Sequence, residues 1–172
     1  ANIGQSSGDA YFLPRHIGLF TGLPLEVPAL MVQRICGSGF ETLITGAEQI
    51  TLGKANAVLC TGTENMSLSP LVSFGNRMGF ALGRPVFKDM LWEALDDTAA
   101  GYPMGFTAEN VAQRYNITRQ ECDQFALLSF NRAIEAHEKK YFHEEITPVN
   151  SSVFEAEGLK TRKFRLPGGL KD

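Results

Sequence analysis

Apolar residues change their spacing several times along the chain, and each change marks an expected element. Residues 4–9 are small and polar and read as a loop. Pro14 can sit at the first position of a helix over residues 15–21, where its missing N–H costs nothing; Gly22 suits the C-terminal cap and Pro24 the stop. Residues 27–35 (VPALMVQRI) are apolar almost without a break, the pattern of a buried strand with Pro28 confined to its start. From Ser38 the period becomes helical: Phe40, Leu43, Ile44, Ala47 and Ile50 share one face, with Gly37 or Ser38 as the opening cap and Gly53 as the close. Residues 55–61 (ANAVLCT) return to a short buried strand. Strand, helix, strand implies a βαβ unit, a parallel pair covered by a helix.

Beyond residue 65 the rhythm is lost. Residues 65–84 carry no clean period and read as a long surface or pocket-lining loop. A short helix fits residues 87–95, and Thr107 can cap another over residues 108–115. Thr118-Arg119-Gln120-Glu121 has the form of a capping box. Behind it Phe125, Ala126, Leu128, Phe130, Ala133 and Ile134 make an amphipathic helix, with Glu135 and Lys139 paired one turn apart. After residue 150 the chain is polar, with Lys160, Arg162, Lys163 and Arg165 ahead of Pro167-Gly168-Gly169.

Composition narrows the class without naming it. With 44% hydrophobic residues the chain can fill a core, and a net charge of −3 gives no reason to expect nucleic acid or an anionic membrane as partner. No run approaches the roughly 18 apolar residues of a membrane span. Ala1-Asn2-Ile3-Gly4 has no basic segment leading into a long apolar one, so a secreted product is not expected. Three widely spaced cysteines, at 36, 60 and 122, form neither a zinc pattern nor a disulfide framework, and fit a reducing compartment, cytosol or organelle matrix.

Candidate chemistry concentrates at Arg34-Ile35-Cys36-Gly37-Ser38-Gly39. A strand entering a tight glycine turn ahead of a helix puts the intervening side chain at the helix N-terminus, where unsatisfied N–H groups and the dipole favour a thiolate. Gly37 and Gly39 leave room for a carbonyl to approach the backbone, as in the G-x-S-x-G elbow of hydrolases. The spacing is equally that of a small buried cysteine packed as a hydrophobe, and both readings stand on spacing alone. Cys60 and Cys122 read as packing residues, His137 and His143 as solvated, and His16 as structural or at a subunit contact. Glu64, at a strand end, is a candidate to orient the cysteine loop or simply to hold structure. The basic run 160–165 reads either as a solvated loop or as a phosphate contact.

Several co-linear motifs carry a family resemblance. The run from Val27 to Phe40 resembles the active-cysteine segment of the thiolases; Ala57-Val58-Leu59-Cys60-Thr61-Gly62-Thr63-Glu64-Asn65-Met66-Ser67 resembles their next strand and its GGTE-x-MS turn. Gly101 to Asn110 (GYPMGFTAEN) is similar to the MG-x-TAEN segment of their loop domain, and residues 118–146, opening TRQECD and closing EEITPV, match as well. The resemblance covers roughly residues 1–150. It implies an α/β fold, part of a thiolase-like layered αβα core, with residues 1–67 as a partial N-terminal domain holding the nucleophile elbow. Residues 68–172 would be a helical, loop-rich loop domain carrying the CoA and acyl-pocket region.

The activity so implied is acyl transfer between 3-ketoacyl-CoA and CoA through an acyl-Cys36 intermediate, with coenzyme A as co-substrate, no permanently bound cofactor and no metal. Met104 falls where the family lines its acyl pocket. Short-chain biosynthetic thiolases often carry histidine before that methionine; Pro103 stands here, which leans the resemblance toward a broader or longer 3-ketoacyl-CoA than acetoacetyl-CoA. The family's GHP histidine and second C-x-G cysteine have no counterpart after residue 150. The C-terminal thiolase domain that supplies them is expected elsewhere, in the same protein or on a separate chain. A homo-oligomer is the family default. A non-catalytic module that binds a CoA ester or assembles with a partner is the alternative.

Overall fold

The computed structural model describes residues 7–166. The Gly-rich stretch 167–169 and the first residues of the 4–9 loop lie outside that range. The chain divides into two compact units, Ala1–Gly101 and Tyr102–Asp172. The division of roles after residue 67 is a separate boundary and belongs to the functional reading.

In the first unit, α1 (Leu13–Phe20) opens with proline in its first turn. It closes through Gly22, whose φ of +80° turns the chain so that the Leu23 N–H donates back to the Gly18 carbonyl at 3.0 Å. The Arg15 guanidinium then reaches across to the following turn, donating to the Val27 carbonyl at 2.6 Å and the Leu25 carbonyl at 2.9 Å. Helix α2 (Ser38–Thr51) has Gly37 at its N-cap and ends just before Gly53, which takes φ +67°. The expected helix and both of its glycine boundaries are therefore present.

The two strands expected on either side of α2 are not. Residues 28–33 and 55–61 have no strand partner among the described residues, and Leu30 and Leu59 are exposed rather than buried. A strand exists only where a neighbouring edge takes up its N–H and C=O groups. Apolar periodicity tells which residues seek burial, not whether a neighbour is at hand. What remains of the βαβ arrangement is one packed face. Gly46 of α2 is buried, and a Cβ placed on it would stand 2.8 Å from Cys60 Sγ and 3.3 Å from Val58 Cγ1. The Cys60 thiol donates to the Thr42 carbonyl at 3.4 Å.

Residues 65–84 form the expected irregular stretch, interrupted by 3-10 turns at Met66–Leu68 and Asn76–Met78. A minimal antiparallel ladder joins β1 (Leu71–Val72) to β2 (Lys88–Asp89), with Leu71 opposite Asp89. Helix α3 (Met90–Leu95) follows, its start capped by Asp89 accepting from the Leu91 N–H at 2.8 Å.

In the second unit, α4 (Met104–Tyr115) begins three residues ahead of the expected Thr107 cap. Pro103, extended at φ −72° and ψ 162°, is the N-cap residue, and no side chain caps this start. Helix α4 stops at Asn116 in the left-handed region, φ +54°, and Thr118 immediately opens α5 (Arg119–Glu138) with both bonds of the capping box formed. The Glu135–Lys139 pair lies one turn apart as expected. The chain ends its described part in a hairpin, β3 (Ser152–Phe154) against β4 (Arg162–Phe164).

Candidate active site

Cys36 stands one residue before the N-cap of α2 and is exposed. Its neighbours form a turn held from both sides. The Gly37 N–H donates to the Arg34 carbonyl at 2.9 Å and the Ser38 N–H to the Ile35 carbonyl at 3.0 Å. Ser38, only 4% exposed, sends its hydroxyl backward across the turn: Oγ accepts from the Arg34 N–H and donates to the Ile35 carbonyl, both at 2.7 Å. Arg34 also pairs with Glu41 in the first turn of the helix, at 2.5 Å.

Within this turn Ile35 takes φ +47°. A β-branched residue in the left-handed region is held there at a cost of about 1–2 kcal/mol, so the surrounding bonds must over-determine it. Cys36 thus stands two residues before Ser38, the first residue of α2, whose first-turn N–H groups have no acceptor four residues back within the helix. A Cβ on Gly37 would stand 3.3 Å from the Arg34 carbonyl oxygen, which explains why this position is glycine.

Next to the turn, Gly39, Thr42 and Leu43 of α2 and Cys60, Thr61 and Gly62 line a cavity of about 200 Å³. Cys60 is half-buried on its wall. Glu64, three residues on from Thr61, accepts from the Asn65 N–H at 3.1 Å and is exposed. Cys122 is exposed on α5, as are Phe125 and Phe130 of the same helix. His137 and His143 are exposed, as their polar surroundings implied, and His16 stacks on Phe12 and faces Asp9 at 3.9 Å. Met104, 44% exposed, is the first residue of α4 in the second unit. There the Asn110 amide donates to the Tyr102 hydroxyl at 3.1 Å.

The basic run does not gather on one surface. Lys163 lies opposite Val153 and Arg162 opposite Phe154, and successive strand residues face opposite ways, so the hairpin divides its cations between two faces. Among the described residues no group of three or more His, Cys, Asp or Glu side chains is placed to hold a metal ion, and no helix is long and apolar enough to cross a membrane.

Three features in and around this site were not read from the sequence. The Arg15 fork ends on backbone carbonyls, which no residue type announces. The two hydrogen bonds of the Ser38 hydroxyl were hidden behind its reading as a helix cap. The Arg34–Glu41 pair does have a signal, opposite charges flanking a helix start, though it lies outside the usual three- and four-residue spacings.

A helix with a solvent-facing cysteine in the tight turn before it, followed by a segment packed on its buried glycine, is the local arrangement that the comparisons with known proteins place in a class. The family model for the thiolase N-terminal domain matches residues 1–163. The chain is 46% identical over 152 residues to mitochondrial 3-ketoacyl-CoA thiolase of Rattus norvegicus, covering 86% of this chain and 38% of that one. It is 42% identical over 154 residues to an acetyl-CoA acetyltransferase of Pseudomonas aeruginosa, with the same coverages. The crystal structure of human mitochondrial 3-ketoacyl-CoA thiolase in complex with CoA superposes with a TM-score of 0.81 at 44% identity, over 86% of this chain and 38% of that chain. This chain belongs to the thiolase family. It corresponds to the family's N-terminal portion, with a partial thiolase-like α/β fold, and spans about 38% of the length of the relatives it matches.

Proposed function

We propose that this chain is the nucleophile-bearing part of a thiolase-type acyltransferase. It acts with a C-terminal thiolase half, in the same protein or on a separate chain, to cleave 3-ketoacyl-CoA with CoA or to run the reverse condensation. Residues 1–67 carry the nucleophile turn and residues 68–172 the acyl and CoA region, Met104 lining the acyl pocket. The Cys36 sulfur attacks the 3-keto carbon; the C2–C3 bond breaks, its electron pair remains on C2 as the enolate of acetyl-CoA, and C2 takes up a proton. The sulfur of a second CoA then attacks the acyl-Cys36 thioester, its proton passing to a base, and Cys36 leaves as thiolate. Splitting the transfer this way replaces one hard step by two easier ones. N–H groups at the opening of α2 are suited to a developing oxyanion.

The base and the acid come from the GHP and C-x-G motifs of the other half. In the degradative direction the protein acts in fatty-acid β-oxidation, in an organelle matrix or bacterial cytosol, and as a homo-oligomer, the family default. The observation that carries this reading is the exposed Cys36 in a strained, fully tied turn at a helix start.

Intact mass spectrometry after incubation with acetyl-CoA and with a longer 3-ketoacyl-CoA tests it, comparing the wild-type sequence with Cys36→Ser, alone and together with the C-terminal half. An acyl adduct present in the wild type and lost in Cys36→Ser is expected, and its mass reports the acyl preference. No adduct from the complete assembly would favour the non-catalytic module that binds a CoA ester without turnover.

A further inference from the structure

The turn that carries Cys36 has four bonds across it, and two of them come from one atom. The backbone bonds, Gly37 N–H to Arg34 and Ser38 N–H to Ile35, close the turn but leave the Arg34 N–H without a role in it. Ser38 Oγ takes that N–H and at the same time gives its own proton to the Ile35 carbonyl, each at 2.7 Å. The hydroxyl has one proton and spends it on one acceptor while accepting one donor, so both contacts are satisfied together. The Arg34 N–H belongs to the peptide that precedes Arg34 and the Ile35 carbonyl to the peptide that follows Ile35, so the two bonds bracket the pair Arg34-Ile35, whose second residue is held at φ +47°. Ser38 is the first residue of α2 and is buried, so its own position is set by the helix.

We infer that Ser38 is a positioning residue for Cys36: its buried hydroxyl locks the left-handed Ile35 and thereby aims the thiol at the first turn of α2. Without the hydroxyl the Ile35 peptide is free to relax to negative φ, which swings the following Cα–Cβ bond away from the helix opening. The inference deepens the acyl-Cys36 reading and rests on it.

The test uses the chain assembled with its C-terminal half, and reads the rate of Cys36 acylation by rapid-quench mass spectrometry, the KM for CoA and the melting curve. Ser38→Ala is expected to slow acylation roughly 10- to 100-fold, the cost of a misplaced reacting group, with KM for CoA unchanged. Ser38→Thr, which keeps the hydroxyl, is expected to restore most of the rate. Ile35→Gly supplies the decisive cycle. Glycine accepts positive φ without strain, so the penalty of Ser38→Ala should shrink in the Ile35→Gly background, a coupling that a merely structural serine would not show. Ser38→Ala acylating at the wild-type rate, or penalties that simply multiply, would overturn the inference. Should Ser38→Ala alone fail to melt cooperatively, the comparison of Ile35→Gly with the double variant and with Ser38→Thr decides it. An adduct that survives Cys36→Ser would instead sink the acyl-Cys36 reading, leaving the two failures distinguishable.

Discussion

Gly46 shows how tightly α2 sits on the chain beneath it. Alanine there gains helix propensity, but its methyl would lie 2.8 Å from Cys60 Sγ, inside any real contact distance, and 3.3 Å from Val58 Cγ1. Gly46→Ala is therefore expected to destabilise by roughly 1–3 kcal/mol, the range for overpacking. Placing it in a Cys60→Ala background removes the offending sulfur and should bring the cost below about 1 kcal/mol; urea unfolding of the four variants checks the coupling. At this scale the sequence was informative where chemistry and glycine coincide. Gly37 and the caps at Gly22 and Gly53 were all readable, because a glycine at positive φ or in a close approach leaves a trace. Ile35 left none: an isoleucine gives no hint that its backbone is held in the left-handed region, because the cause lies in Ser38 three residues away.

Helix α5 carries its own start signal and so was the most legible element. Thr118 Oγ accepts from the Glu121 N–H at 3.2 Å, and the Glu121 carboxylate accepts from the Thr118 N–H at 2.7 Å and from its hydroxyl at 2.8 Å. These bonds, the backbone one first, hold the Glu121 carboxyl below the usual carboxylate range. The Arg119 guanidinium lowers Asp123 in the same way, chiefly by its hydrogen bond. A carboxyl whose folded value is depressed contributes stability that is present above its unfolded value and is lost as pH falls through the folded one. Circular dichroism of a peptide spanning residues 116–140 should therefore show helicity falling below the ordinary carboxylate range, with Glu121→Ala flattening part of that fall. Thr118→Ala should weaken the helix start by about 1 kcal/mol at neutral pH. The strands were the opposite case. Their apolar runs were visible, but pairing depends on a second edge far away in the chain, and residues 27–35 contain nothing that reports it.

Over the whole molecule the apolar content expected to fill a core is largely on the outside. Among the described residues Ala10 is the one buried hydrophobic, while Phe40 of α2 and Phe125 and Phe130 of α5 are exposed. The chain presents 14836 Å² to solvent, against roughly 8300 Å² expected for a self-contained protein of 18.9 kDa. That surplus suits a chain that closes its core against another part of a thiolase. Alone, the 172 residues are expected to bind a hydrophobic dye, to melt broadly and to associate. Adding the C-terminal half should suppress dye binding and give one cooperative transition; a monodisperse, cooperatively melting chain on its own would contradict this. The unladdered stretch 28–33 adds a matter of timing. Strand edges that wait for distant sequence are slow to pair and open to wrong partners meanwhile. During synthesis, then, α2 and α5 can form from local bonds as they emerge, whereas the apolar segment leading into Cys36 has no local bonds to close it, so on the proposed reading the chain's exposure to aggregation is set by how soon a partner edge arrives.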